Sequence, residues 1–276
     1  MKIIALLENI SKNDEYKNKH GLSFYIETEG HKILMDLGPD DSFIFNAEKL
    51  EIDLTKVDTV VISHGHWDHG GGLKSFLKIN QDAKIYVREK IFGEYYVNTG
   101  DEYKFIGLDK ELKENKKIIV IKDNDCFEID KGLRLFSGLK GKKYLSSANK
   151  ALFEKRDEKF KEDEFLHEQC LAIEEKDKKV LLGGCAHNGI INILDKFEKI
   201  YGQMPNYVIS GLHLYNPDSG ISEKEELILN ISKELCKLDV KIYTCHCTGL
   251  YPFDILEKEI GYEKMKYFHT GMSMEI

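Results

Sequence analysis

Ser63-His64-Gly65-His66-Trp67-Asp68-His69-Gly70-Gly71-Gly72 packs three imidazoles and a carboxylate into the six positions from His64 to His69. The run before it, Val57-Asp58-Thr59-Val60-Val61-Ile62, is β-branched and apolar, which predicts a buried strand that delivers the cluster to its C-terminal edge. If the cluster is an extended loop, alternate side chains share a face, so His64 and His66 converge on one ion. Asp68 and His69 then point elsewhere and can hold a second. The spacing therefore suits a two-metal site rather than a histidine-rich surface loop. Gly70 to Gly72 leave room for backbone to crowd against the site, and Leu73, Phe76 and Leu77 form the apolar stripe of a following helix.

Upstream, Ile3 to Leu7 reads as a strand, and Leu22 to Glu27 with Lys32 to Asp36 as a hairpin turning at Glu29-Gly30. Asp36-Leu37-Gly38-Pro39 ends it, and a short helix near Asn46 to Leu50 leads to the strand at Val57. Downstream, Ala83 to Val87, Ile118 to Ile121 and Leu133 to Phe136 add strands. From Lys150 to Asp163 the charge is dense and no apolar face is sustained, which predicts a solvated loop or exposed helix, or else a mobile flap over the site.

A second hairpin, Gln169 to Ile173 with Val180 to Gly184, runs into Cys185-Ala186-His187-Asn188-Gly189. A helix carrying Ile190, Ile191, Leu194 and Phe197 inward should follow and close at Gly202. The order strand, ligand, glycine, helix thus repeats. It occurs twice more, at Tyr207 to Ser210 before Gly211-Leu212-His213-Leu214, and at Val240 to Thr244 before Cys245-His246-Cys247-Thr248-Gly249. Between them a helix is expected, with Ser222 and Glu225 as a capping box and Leu227, Ile228, Ile231 and Leu235 as its apolar stripe. Histidines at several strand ends imply one convergent site on an α/β scaffold.

The length of 276 residues, without an evident linker, fits a single domain spanning 1–276. No stretch is apolar for the ~18 residues of a membrane helix, and the opening Met1 to Asn9 breaks off too early for a secretory signal, so the expected location is the cytoplasm and no membrane partner is expected. The net charge of −8 is mixed along the chain, which argues against a nucleic-acid partner. Arg88, Arg134 and Arg156 are the only arginines, so a phosphate would have to meet lysine, backbone or metal. Cys126, Cys170, Cys185, Cys236, Cys245 and Cys247 are read as reduced thiols, with Cys236 in the core of its helix. Strand alternation would turn Cys245 and Cys247 away from the face that His246 uses.

The central motif, flanked by strand and helix, resembles the His-x-His-x-Asp-His signature of the metallo-β-lactamase superfamily. Glu8-Asn9, His20-Gly21-Leu22-Ser23, Ile33 to Gly38, Gly71-Gly72-Leu73, Glu168-Gln169, Gly184 to His187, Gly211 to Leu214 and His246 to Gly249 resemble, over nearly the whole chain, one subfamily within it. That subfamily comprises hydrolases related to the dihydropterin-ribofuranosylaminobenzene-phosphate synthases of methanopterin biosynthesis. The resemblance implies an α/β fold, a four-layer αβ/βα sandwich of two facing sheets with outer helices. It also implies two divalent metal ions, zinc by donor type with iron or manganese as alternatives. His64, His66 and His187 would hold one ion, and Asp68, His69 and His246 the other. Asp68 would also orient a metal-activated hydroxide, and His213 would contact the substrate or transition state. His20, His31, His167 and His269 are read as ordinary.

The sequence departs from the superfamily where Gly184 is followed by Cys185 rather than the usual bridging Asp. Three readings stay open: Cys185 is a soft ligand, Glu168 or a water supplies the bridge, or the second site is weak. The expected activity is a metal-dependent hydrolase acting on a small phosphorylated or ester-like metabolite. The alternatives are a di-iron redox enzyme reducing oxygen or nitric oxide, and a non-catalytic metal-stabilised binding protein.

Overall fold

The computed structural model describes residues 1–122 and 126–276. The chain groups into two compact units, Met1–Tyr95 with Ile106–Asp123 and Phe268–Ile276, and Tyr96–Phe105 with Asn124–Tyr267.

In the first unit the described residues form a seven-stranded sheet, in the order Ser273–Glu275, Lys2–Leu7, Ser23–Glu27, Lys32–Met35, Thr59–Val61, Lys84–Arg88, Ile118–Ile121. The predicted hairpin forms, with Ile26 opposite Ile33 and Phe24 opposite Met35. Beyond it the pairings from Lys32–Met35 through Ile118–Ile121 are parallel. Parallel neighbours need crossovers, which the helices Ser42–Lys49 and Leu73–Ile79 supply. Phe43, Ala47, Leu73 and Phe76 from these helices share a core with Ile4, Leu6, Leu34, Val60 and Ile85, the side chains larger than alanine contributing roughly 1.5–3 kcal/mol each on burial. Because Met35 and Val61 pair in parallel register, Asp36 and the histidine segment leave the sheet from the same edge.

The second unit repeats the plan. Its seven-stranded sheet runs Met265–Tyr267, Lys241–Thr244, Tyr207–Ser210, Lys178–Leu182, Cys170–Glu175, Leu133–Phe136, Cys126–Asp130. The four strands from Lys178–Leu182 to Met265–Tyr267 are parallel, joined through the helices Ile190–Tyr201, Glu225–Cys236 and Leu250–Ile260. Gly202 closes the first of these helices in the left-handed conformation, φ 70°, as expected. Leu182, Ser210 and Thr244 therefore discharge three loops at one sheet edge, and these loops carry His187, His213 and His246.

Several expectations need correction. The charged stretch is a strand pair, Leu152–Arg156 with Lys159–Glu162, in a four-stranded sheet with Tyr95–Asn98 and Tyr103–Phe105. Its two-residue turn, Asp157 and Glu158 at φ 51° and 60°, has the backbone of a tight hairpin but lacks the Asn-Gly signal that usually betrays one. The helix Glu225–Cys236 has no capping box: Lys224 is its N-cap, without a side-chain cap, and Ser222 pairs with Tyr215 in a short strand instead. Cys236 is exposed rather than core, because Ile228, Ile231, Ser232 and Leu235 define the buried face. Among the described residues no helix is long and apolar enough to cross a membrane.

Candidate metal centre

In the first unit, His64, His66, Asp68 and His69 come together at the sheet edge. Nε2 of His64 lies 3.1 Å from Nδ1 of His66. Two imidazoles on one tetrahedral ion, with bonds of ~2.0–2.1 Å, would place their nitrogens roughly 3.3 Å apart, so the pair has the spacing of two ligands of one ion. The segment is not extended: His64 and Gly65 form a bend, and Asp68 and His69 follow in a helical turn. That turn, Trp67–Gly70, brings Oδ2 of Asp68 to 3.5 Å from Nε2 of His69. Nδ1 of His69 is 2.6 Å from Oδ2 of Asp36, and the same carboxylate accepts the Ser63 backbone N–H and hydroxyl, each at 2.7 Å. The Ser63 hydroxyl also reaches Nδ1 of His64 at 2.9 Å. Nδ1 of both His64 and His69 is thus engaged by oxygen, the arrangement that fixes a metal-binding histidine's tautomer and orientation. Asp36 holds φ 60°, a costly conformation for a residue other than glycine and one that recurs at functional sites. At Gly71 and Gly72 an added Cβ would come within 2.3 Å of the Pro39 and Leu37 carbonyl oxygens, respectively, so the backbone crowding expected of this glycine run is real.

In the second unit, His187 is gripped from three sides. Its Nδ1 is 3.1 Å from Oδ1 of Asn149, whose Nδ2 donates to the His187 carbonyl at 2.8 Å. The Phe165 ring stacks on the imidazole with centroids 4.3 Å apart and planes 2° from parallel. The buried Glu168 carboxylate accepts the backbone N–H groups of His187 and Asn188, at 2.7 and 3.0 Å, and the Asn188 side-chain amide at 2.7 Å. Burial pushes the Glu168 carboxyl up, against the pull of those donors.

The neighbouring loops are tied to that segment. Gly211 N–H donates to the Gly184 carbonyl at 2.8 Å, the Leu212 N–H to the Thr248 hydroxyl at 2.9 Å, and the His213 N–H to Sγ of Cys247 at 3.3 Å. The His213 ring lies 4.1 Å from that of His187. Ala186, His213 and His246, one on each strand-end loop, have φ of 54°, 50° and 52°. Burial raises the Cys247 thiol, but its contact with Cys185 and the nearby imidazoles of His213 and His246 outweigh it and hold the thiol well below the usual range.

Residues 17–228 match the model of the metallo-beta-lactamase superfamily. The chain belongs to this superfamily.

It is 30% identical, over 98% of its length and 95% of the relative's, to the 7,8-dihydropterin-6-methyl-4-(beta-D-ribofuranosyl)-aminobenzene-5'-phosphate synthase of Methanocaldococcus jannaschii. A crystal structure of a metal-dependent hydrolase of the beta-lactamase superfamily superposes with a TM-score of 0.84 at 28% identity, covering 100% of this chain and 99% of that one. Zinc-bound PqqB from Methylobacterium extorquens shares the fold over 100% of both chains, with a TM-score of 0.60 at 13% identity. The metallo-β-lactamase fold expected from the motif is thereby established, and divalent metal ions are the cofactor type that goes with it. The oriented imidazoles of His64, His69 and His187 fit that cofactor.

Other metallo-β-lactamase features escaped the sequence reading. Asp36 and Asn149 orient imidazoles; the first stands in the strand-end segment Met35-Asp36-Leu37-Gly38, a visible signal, whereas Asn149 reaches His187 across 38 residues without a local pattern. His20, read as ordinary, sets Nε2 at 3.3 Å from Oδ2 of Asp68. His167, also read as ordinary, is buried and lies 3.0 Å from the buried Asp163 carboxylate. Glu168 accepts three hydrogen bonds from the His187-Asn188 segment, and it is not among the described donors that cluster closely enough to hold an ion. The alternation argument does not reach Cys247, because the strand ends at Thr244 and a 3₁₀ turn covers His246–Thr248; its Sγ meets the His213 N–H and the Cys185 carbonyl.

Proposed function

We propose that the chain is a metal-dependent hydrolase of a small phosphorylated or ester-like metabolite. In this reading His64, His66 and His187 hold one divalent ion, and Asp68, His69 and His246 hold a second. The observation that carries it is the Asp36-His69 pair: a fully buried carboxylate 2.6 Å from Nδ1 of a fully buried imidazole orients the ring and leaves its opposite nitrogen for a cation, as the partners of metal-binding histidines do.

Divalent ions held there would lower the pKa of a bound water toward roughly 7 and polarise the bond under attack. The protein's own groups do the rest. Asp68, buried beside His69 and His20, is assigned to accept a proton and to fix the direction of attack. His213 is assigned to donate to the developing charge.

A cavity of about 640 Å³ in the second unit reaches His187 and is lined by Leu139, Lys140, Lys142, Lys150 and Phe165. Its acidic lining residues are Glu162, Asp163 and Glu164, of which Asp163 pairs with His167 and Glu164 with Arg156, itself shared with Glu154. The mouth is mixed in charge, with Lys140, Lys142 and Lys150 offering cations, and a planar or apolar metabolite with an anionic group fits it. The name of the relative from M. jannaschii, with its 5'-phosphate, agrees with an anionic ligand.

The test is turnover by zinc-loaded protein on a panel of phosphate monoesters, phosphodiesters, carboxylic esters and lactones, with and without a chelator. Chelator-sensitive hydrolysis of an anionic member is expected. Tight binding without turnover across the panel would refute the assignment.

A further inference from the structure

Where the superfamily usually has a bridging carboxylate, this chain has Cys185, and the structure sets that residue beside two other donors. Sγ of Cys185, a ring nitrogen of His213 and Sγ of Cys247 lie within 4.8 Å of one another, and all three residues are buried. We propose that Cys185, Cys247 and His213 form a soft-metal ligand set that takes a thiophilic divalent ion, zinc above all, with two thiolates and one imidazole.

Three observations carry this. First, both ring nitrogens of His213 are buried without a hydrogen-bond partner, although the residue is only 8% exposed. A buried imidazole normally satisfies at least one nitrogen, because leaving a polar group unpaired costs about 1–3 kcal/mol. A ligand that accepts a lone pair removes that cost.

Second, the backbone keeps the cluster closed around this space. His213 stands at φ 50° with its N–H on Sγ of Cys247, and the Cys247 thiol faces the Cys185 carbonyl at 3.6 Å. At Gly211 an added Cβ would lie 2.5 Å from Sγ of Cys247 and 3.0 Å from the Gly184 carbonyl oxygen, so glycine is what lets the thiol sit there.

Third, the donor chemistry is selective. Two sulfurs on a tetrahedral zinc, with Zn–S near ~2.3 Å, stand roughly 3.8 Å apart, so a contraction of less than about 1 Å from the observed separation closes the set. Two soft thiolates with an imidazole favour zinc over magnesium or calcium. One nitrogen of His213 serves the ion, and the N–H of the other keeps the donor role assigned above.

The inference rests on the reading above only in that divalent ions enter this fold. It departs from that reading in the Cys247 thiol: Cys185, at the position of the usual bridging residue, can by itself give one sulfur to the ions of that reading, so the observable is a second sulfur that depends on Cys247. The full chain, stripped of metal and reloaded with zinc, is examined by X-ray absorption at the zinc edge, and the cobalt(II)-loaded chain by near-ultraviolet absorption.

Two sulfur neighbours at about 2.3 Å from one zinc and a thiolate-to-cobalt charge-transfer band are expected in the unsubstituted protein, and a single sulfur, or a band unchanged by Cys247→Ser, overturns the inference. Cys247→Ser should weaken the band, the double variant Cys185→Ser/Cys247→Ser should lose it, and Cys236→Ser should leave it unchanged. A loaded protein with only nitrogen and oxygen around zinc overturns the inference and leaves the hydrolase reading intact. A two-sulfur shell in a protein that turns nothing over supports the inference and sinks the hydrolase reading. The first comparison needs no variant, so misfolding of a substituted chain does not spare the proposal.

Discussion

The carboxylate of Asp36 and the imidazole of His69 meet at 2.6 Å with no exposed surface on either residue. The contact links the ends of two parallel neighbouring strands, and the Ser63 N–H and hydroxyl hold the carboxylate in place. It therefore fixes both the position of His69 and the nitrogen left for an ion.

Asp36→Asn keeps the shape of that contact and removes its charge. Metal affinity should fall roughly 10- to 100-fold, as for other second-sphere partners of metal-binding histidines. Competition with a graded chelator measures it. Affinity equal to that of the unsubstituted protein would show that Asp36 serves the fold alone.

Asn149→Ala removes the oxygen that engages Nδ1 of His187 and the amide that holds the His187 carbonyl. Phe165 stays stacked on the ring, so the side chain keeps its place but loses its tautomer control. The expected result is loss of about one equivalent of tightly held metal with an unchanged far-ultraviolet circular dichroism spectrum, read by elemental analysis after gel filtration. Full retention of metal would assign Asn149 to loop structure.

His66→Ala and Asp68→Asn should each abolish turnover while leaving the chain folded. Both positions lie outside the apolar core of the first unit, in the segment between Thr59–Val61 and Leu73–Ile79. Activity assays paired with thermal melts check this. Undiminished turnover in either variant contradicts the ligand assignment.

Glu223 offers a pH test unconnected with metal. Burial raises its pKa, but the hydroxyls of Ser146 and Ser147 and the Ala148 N–H donate to it at 2.8, 2.7 and 3.1 Å and hold it below the ordinary value. A carboxyl with a depressed folded-state pKa contributes stability above its unfolded value, and that stability is lost as pH falls through the folded value. Glu223→Gln should therefore cost about 1–3 kcal/mol at pH 7, with the gap to the unsubstituted protein narrowing below about pH 4.3. Urea melts at both ends of that range decide it, and a gap independent of pH would contradict the assignment.

The sequence by itself determined the local elements and the donor types. Period-two and period-3.6 apolar patterns place the hairpin Ser23–Glu27 with Lys32–Met35, the strands Ile118–Ile121 and Leu133–Phe136, and the helix Ile190–Tyr201 ending at Gly202. Burying one face of a strand or helix imposes those periods, and so they are legible without coordinates. His64 and His66 do converge, but a bend at His64-Gly65 rather than extended backbone brings them together.

Tertiary structure decided what long-range contacts control. The hairpin at Leu152–Glu162 has no turn signature, and its strands gain order by pairing within a four-stranded sheet. Cys236 lies outside the buried face of its helix, although its type is usually buried. The partners that orient the imidazoles, Asp36 for His69 and Asn149 for His187, lie 33 and 38 residues away, beyond any local period. Cys247 meets Cys185 because parallel strands discharge their loops at one sheet edge, a consequence of topology that spacing along the chain cannot carry.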